Sequence, residues 1–237
     1  MTIAAAGISA TSGHLLTRNW ANTTINCLGD STTWGDVGTG DGGPAISWPA
    51  HLQRLLGAGT VRNYGIKGSR IGVKADRDDS FIERYEAMER DADIVLVFGG
   101  VNDFNREVPL GEQGDTDVHT FHGAVDILLR GLVRMYPHGE IVVMTPCKTG
   151  GVSAKALPAF DTPNGLGLVE ADYVQVLLAT SHRYGIPVID LFNDSGISPL
   201  LPEHKPHYMP DGLHYSPAGY ERLARRIASQ LLTLLAF

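Results

Sequence analysis

The chain predicts an α/β fold: a parallel sheet covered by helices on both faces, in three α/β/α layers. Three observations carry that expectation. Short apolar runs alternate with longer amphipathic segments along most of the chain, as strands do when crossover helices join them. Residues Ile94–Phe98 read Ile-Val-Leu-Val-Phe without a polar interruption, the mark of a strand buried on both sides. Several apolar runs also stop at glycine or proline, at Gly29, Gly99-Gly100 and Pro146, where a strand gives way to a turn.

The elements follow in order. Residues 24–28 read as a first strand, closed by Gly29-Asp30-Ser31. Residues 48–56 place Trp48, Leu52, Leu55 and Leu56 at helical spacing, so a helix is expected there. Residues 61–64 form a short second strand. Residues 81–90 are charged and periodic, hence helical, and Ile94–Phe98 is the third strand. Residues 118–135 are helical, with Val125, Leu128, Leu129 and Leu132 on one face. Residues 141–144 make a fourth buried strand, 168–184 a helix and 186–189 a fifth strand. Ser216-Pro217 pairs an N-cap with proline at the first helical position, opening a helix that reaches Leu235. No linker interrupts this alternation, so residues 23–237 are expected to form one domain behind an extension of residues 1–22. Three segments stand outside the pattern. Residues 35–43 are glycine-rich and polar. Residues 147–167 form a long excursion with glycines near both ends. Residues 193–211 hold four prolines and lead to His214. Loops of such length are usually functional or mobile.

Composition narrows the classes. At 237 residues the chain can bury a core without covalent staples. Its 43% hydrophobic and 19% charged residues rule out disorder as a whole-chain description. The net charge is −7 and no basic run exists, which argues against a nucleic-acid partner. No apolar stretch is long enough to span a bilayer. The apolar start lacks the Lys or Arg that precedes a signal peptide's apolar segment, which leaves the compartment open. Two cysteines, Cys27 and Cys147, are too few for a disulfide scaffold.

Ligands of an open parallel sheet bind outside the carboxyl ends of its strands. Ser31 follows strand one and Gly65 to Gly68 follow strand two. Asn102 and Asp103 follow strand three, and Asp211 and His214 come after strand five. Each has a plain structural explanation. Ser31 could cap a helix. The glycines could serve tight turns. Asn102-Asp103 could be a turn or a cap, and His214 could lie on the surface before a helix. Together, on one rim, a hydroxyl, an imidazole, a carboxylate, a side-chain amide and close-approaching backbone make a hydrolytic set.

That set resembles the SGNH hydrolase superfamily, the GDSL esterases and lipases. The resemblance rests on four blocks in the family's order, from residue 29 to residue 220. They are Gly29-Asp30-Ser31-Thr32-Thr33-Trp34-Gly35, with Thr32 where Leu or Ile is commoner; Asn63-Tyr64-Gly65-Ile66-Lys67-Gly68; Gly100-Val101-Asn102-Asp103; and Asp211-Gly212-Leu213-His214, continuing to Gly219-Tyr220. It implies a five-stranded flavodoxin-like sheet of order 2-1-3-4-5. It also implies Ser31 as nucleophile, His214 as base and then acid, and Asp211 as the carboxylate that orients the ring. The implied oxyanion hole is the backbone N–H of Ser31, the backbone N–H of Gly68 and the Asn102 amide, with Gly65 as a rival to Gly68. No metal or cofactor is implied.

The chemistry suits those residue types. A serine hydroxyl needs a base to take its proton as it attacks. Histidine titrates nearest neutrality and can take and return that proton. A carboxylate holds the ring in one tautomer, and preorganised N–H donors stabilise the developing oxyanion. The expected activity is hydrolysis of short-chain carboxylic esters through an acyl-enzyme, with O-acetyl groups on carbohydrate among the candidate substrates. Thioesterase, lysophospholipase or acyltransferase chemistry at the same site is the rival within enzymes. A non-catalytic carbohydrate-binding or structural domain is the rival outside them.

Other features weigh less. His204, His207, Asp211 and His214, or His119 and His122, have metal-ligand residue types, but the hydrolytic reading already employs Asp211 and His214. Gly38 to Gly43 lacks the Lys-Ser/Thr ending of a phosphate loop. Trp34, Trp48 and Tyr64 could stack on a sugar or fill core. With Cys27 and Cys147 on strands one and four of the implied order, two strand spacings of roughly 9–10 Å separate them. That exceeds the ~7 Å Cα limit of a disulfide, so free thiols are expected. Leu157, Phe160, Leu166 and Leu168 of the excursion could build a small pocket, which would give the excursion the alcohol-side specificity.

Overall fold

A computed structural model describes residues 18–39 and 41–235. Strands β1 (Thr24–Gly29), β2 (Thr60–Gly65), β3 (Ile94–Phe98) and β4 (Glu140–Met144) lie in one sheet with β7 (Val188–Ile189). The order is β2-β1-β3-β4-β7 and every pairing is parallel. This is the expected 2-1-3-4-5 order. Two further strands, β5 (Gly150–Val152) and β6 (Leu157–Ala159), form a separate antiparallel hairpin, so β7 is the sheet's own fifth strand. The chain leaves β1 toward β2 on one side and returns to β3 on the other. The carboxyl ends of β1 and β3 therefore flank the switch point where such sheets open a crevice.

Nine α-helices are described. They are α1 (Ser31–Trp34), α2 (Trp48–Leu56), α3 (Phe81–Arg84), α4 (Val101–Asn105), α5 (Phe121–Met135), α6 (Glu170–Arg183), α7 (Leu191–Asp194), α8 (Lys205–Tyr208) and α9 (Pro217–Leu234). The apolar run of β3 divides by alternation, because successive side chains point to opposite faces. Ile94, Leu96 and Phe98 join Trp48 and Leu52 of α2 and Leu223, Ile227 and Leu231 of α9. Val95 and Val97 join Phe81 of α3, Leu128 and Leu132 of α5 and Tyr173 and Leu177 of α6. Two cores, one on each face, explain why the run has no polar residue.

Several elements differ from their expected bounds. The helix from Phe81 stops at Arg84, and a single 3-10 turn follows at Tyr85–Ala87. Arg84 is tied to the carbonyls of Tyr64 and Gly29 at 2.6 Å each, and Met88 leaves helical geometry with ψ 149° as its side chain enters the core. Helix α5 begins at Phe121, not 118, because Thr120 caps it by accepting from the Gly123 N–H at 3.2 Å. The fifth strand shrinks to two residues at the sheet edge, where it has one neighbour. Of the expected extension, residues 1–17 lie outside the described residues, while Trp20 packs against the α2–α9 core. Among the described residues no helix is long and apolar enough to cross a membrane. Cys27 and Cys147 are free and buried, with Cys147 just past β4 rather than on it. Burial pushes its thiol up to about 12.

Candidate active site

Asp30 ends the turn after β1 and caps α1, accepting from the Thr32 N–H and the Thr32 hydroxyl at 2.8 Å each. Ser31 therefore stands one place inside the helix, with no capping duty for its hydroxyl. The cap reading belongs to Asp30. Ser31 Oγ is 3.1 Å from His214 Nε2, and His214 Nδ1 is 2.7 Å from Asp211 Oδ2. The other Asp211 oxygen accepts from the Leu213 and His214 N–H groups at 2.8 and 2.7 Å. Burial works against ionisation of Asp211. The His214 ring and those two N–H groups outweigh it and hold the carboxyl below its usual range. Residues 183 apart in sequence thus meet at one point.

Neighbouring loops hold this point from both sides. Gly38 lies against Asp211 so closely that a Cβ on it would fall 2.3 Å from Oδ2. The excursion grips the opposite side: Gly150 N–H and Thr149 Oγ1 donate to the Gly212 carbonyl at 2.6 and 3.2 Å. Thr149 N–H in turn donates to buried Glu170 at 3.0 Å. The four apolar residues expected to share a pocket disperse. Leu157 joins Val101, Val152 and Leu213, Phe160 packs on Phe192, Leu168 packs on the α5–α6 core, and Leu166 is exposed.

Among the described residues, the Ser31 and Gly68 N–H groups donate to no acceptor. The Gly65 N–H donates to Asn63 Oδ1 at 2.9 Å. Gly68 adopts φ 77°, in the left-handed region that glycine enters without steric cost. Asn102 lies in α4, not in a turn. Its amide nitrogen is 3.2 Å from Asp30 Oδ2 and 3.1 Å from the Ser69 carbonyl. Asp103 beside it is fully buried and accepts from the Ile71 and Gly72 N–H groups at 3.0 and 2.8 Å. Burial pushes its carboxyl up to about 7.

The model of the GDSL-like lipase/acylhydrolase family matches residues 27–222. The chain belongs to this family. A solved structure 58% identical to it covers 92% of this chain and 99% of its own, with a TM-score of 0.89. A protein from Lactobacillus plantarum is 32% identical over 90% of this chain and 97% of its own, with a TM-score of 0.79. A carbohydrate acetylesterase family member from Sinorhizobium meliloti, 21% identical over 91% and 100%, shares the fold at a TM-score of 0.66. No curated protein sequence matches the chain.

In this GDSL-like chain the remaining candidates sort themselves by contact. Trp48 is buried core. The Tyr64 hydroxyl accepts from the Glu89 N–H at 3.1 Å. Trp34 carries the Lys67 ammonium 4.1 Å from its ring centroid. His204 and His207 stack edge-on against Tyr208, and His119 Nδ1 faces the Val73 carbonyl at 3.1 Å. Sequence reasoning missed two groups. Arg84 joins the ends of β1 and β2 by its carbonyl bonds and also reaches Ser69 Oγ. Burial lowers its guanidinium to about 10. Asp36 places Oδ2 3.8 Å from His214 Nε2. Arg84 sits in an ordinary charged helix and gave no signal. Asp36 stands one residue past the first block, which could have drawn notice.

Proposed function

We propose that the protein is a serine-dependent hydrolase of short-chain carboxylic esters that works through an acyl-enzyme. The observation that carries the reading is the unbroken chain from Ser31 Oγ through the His214 ring to the Asp211 carboxylate, at 3.1 and 2.7 Å. His214 takes the hydroxyl proton as Ser31 attacks the ester carbonyl, then returns it to the leaving alcohol. Asp211, already ionised, holds Nδ1–H and steadies the imidazolium. The Ser31 and Gly68 N–H groups receive the oxyanion. The Asn102 amide joins them by sharing the proton it now directs at Asp30, the longer of its two bonds.

Short acyl groups fit the surroundings. Among the described residues, the excursion's Leu157, Phe160, Leu166 and Leu168 share no apolar wall that would reward a long chain at ~0.8 kcal/mol per buried CH₂. The fold shared with a protein described as a carbohydrate acetylesterase family member makes O-acetylated carbohydrate the natural substrate class to try first. The test is kcat/KM on p-nitrophenyl esters from acetate to laurate, followed by acetylated sugars, with Ser31→Ala as blank. A fluorophosphonate probe should label the wild type and not Ser31→Ala. Rates that climb steadily to laurate would overturn the short-acyl assignment, and equal labelling of both proteins would overturn the nucleophile.

A further inference from the structure

Asp36 belongs to none of the four sequence blocks, yet it is fixed beside the reacting nitrogen. Its backbone is pinned at both ends: the N–H donates to the Ser31 carbonyl at 3.0 Å, and the carbonyl accepts from the buried Tyr220 hydroxyl at 2.6 Å. Its side chain is pinned too. Oδ1 accepts from the Gly38 N–H at 2.9 Å and Oδ2 faces Lys67 Nζ at 3.1 Å. Burial opposes ionisation of this carboxyl, but the Gly38 N–H and Lys67 outweigh it and hold Asp36 below the usual range. It is a carboxylate at neutral pH.

His214 Nε2 thus faces two oxygens, Ser31 Oγ at 3.1 Å and Asp36 Oδ2 at 3.8 Å. The longer distance exceeds a hydrogen bond and suits a single bridging water. With bonds of about 2.8 Å, the two acceptors subtend an angle somewhat below that of water's two O–H bonds. We infer that Asp36 is the group that selects water as the second substrate, accepting one O–H of the water whose other O–H points at His214 Nε2. The inference rests on the acyl-enzyme reading above.

The step balances as follows. The water oxygen attacks the acyl carbonyl carbon while one water proton passes to Nε2. The tetrahedral intermediate collapses, the bond from the acyl carbon to Oγ breaks, and its electron pair goes to Oγ, which takes the proton from Nε2. The second water proton remains on the new carboxylic acid, hydrogen-bonded to Asp36, and is then lost to solvent. Water has two O–H groups and satisfies both acceptors. An alcohol has one, which must go to Nε2, and its alkyl carbon then adjoins an oxygen that wants a donor. Asp36 therefore gives deacylation by water a hydrogen bond that attack by alcohol, and by reversibility acylation, lacks. Its charge, 3.8 Å from Nε2, favours the imidazolium in all of these steps alike and cancels in their ratio.

Asp36→Asn tests this. Its oxygen can keep the Gly38 N–H, which places an NH₂ donor where Oδ2 stood. With p-nitrophenyl acetate as acyl donor and methanol as competing acceptor, the ratio of acetic acid to methyl acetate measures partition of the acyl-enzyme. That ratio does not depend on how much of the variant folds. It should fall about 10- to 100-fold, the worth of a hydrogen bond to a charged group, and acetylated Ser31 should accumulate as deacylation slows more than acylation. An unchanged ratio, with methyl acetate formed by the wild type and not by Ser31→Ala, overturns the role of Asp36 alone. Turnover of p-nitrophenyl acetate that persists undiminished in Ser31→Ala overturns the acyl-enzyme reading itself.

Discussion

Alanine at position 38 should disturb the proposed His214–Asp211 pair more than it damages the fold. An ideal Cβ there lies 2.3 Å from Asp211 Oδ2 and 2.8 Å from its Cγ. Ordinary contact requires a separation about 1 Å greater. Either the loop lifts or the carboxylate retreats. The loop is tied down, through Gly38 N–H to Asp36 and through Gly43 N–H to the Gly35 carbonyl at 2.9 Å each. Asp211 Oδ1 is held by two backbone N–H groups, so the oxygen that yields is Oδ2, the partner of His214 Nδ1. Misplacement of a catalytic group by 1 Å costs about 10² in rate. The φ of 84° at Gly38 adds ~1–2 kcal/mol of backbone strain for alanine. Gly38→Ala should therefore lower kcat for p-nitrophenyl acetate about 10²-fold, leave KM within a few-fold, and reduce unfolding free energy by ~1–3 kcal/mol in a denaturant titration. In an Asp211→Ala background the same change should cost little further activity, because the oxygen it displaces is gone. A variant that loses stability but keeps kcat within twofold, or a loss that adds fully to Asp211→Ala, would refute the reasoning.

The other predictions are shorter. Ser31→Ala and His214→Ala should each reduce kcat by about 10⁴–10⁶, and the double variant should be hardly worse, since the proposed mechanism has the pair act as a unit; additive losses in steady-state kinetics would contradict this. Asn102→Ala should lose about 10²–10³ in kcat with little change in KM. It should also lower Tm, because Asp30 Oδ2 and the Ser69 carbonyl lose their donor; a loss confined to KM would make Asn102 a substrate-binding residue. Glu170 is fully buried, and its Oε1 has no partner among the described residues. Burial raises its carboxyl to about 8, so the folded state retains a proton that the unfolded chain releases. Its favourable share of stability is complete below the ordinary carboxylate range and is lost as pH rises toward 8. Glu170→Gln cannot ionise, so it should gain on the wild type between pH 5 and pH 8 by on the order of a few kcal/mol. A Tm difference that stays constant with pH would contradict that.

Much of this molecule is legible from local pattern. The run Ile94–Phe98 gives a doubly covered strand because alternation along it must satisfy two cores. Ser216-Pro217 gives the start of α9 because capping is a local event: Ser216 accepts from the Gly219 N–H at 3.1 Å. The four blocks mark the ends of strands, and parallel topology gathers strand ends on one rim. Ser31, Gly68, Asn102, Asp211 and His214 are therefore nameable as candidates from sequence alone. The hairpin β5–β6 leaves no mark in the sequence because its strands are three residues each, too short to show a period.

What the tertiary structure alone decided is which group each polar atom serves. Asp30 and Ser31 are equally good caps by residue type, and only the turn after β1 gives the cap to Asp30 and leaves Ser31 Oγ for His214. Gly65 and Gly68 are interchangeable on paper until the Asn63 side chain takes the Gly65 N–H. Asp36 and Arg84 look like ordinary charged residues in sequence, and their positions beside His214 and beneath the ends of β1 and β2 depend on contacts across long stretches of chain. The physical reason is one of range. Secondary structure and capping follow from neighbours a few positions away, whereas a hydrogen bond's partner is chosen in space, by folding that brings residues 183 positions apart to within 3.1 Å.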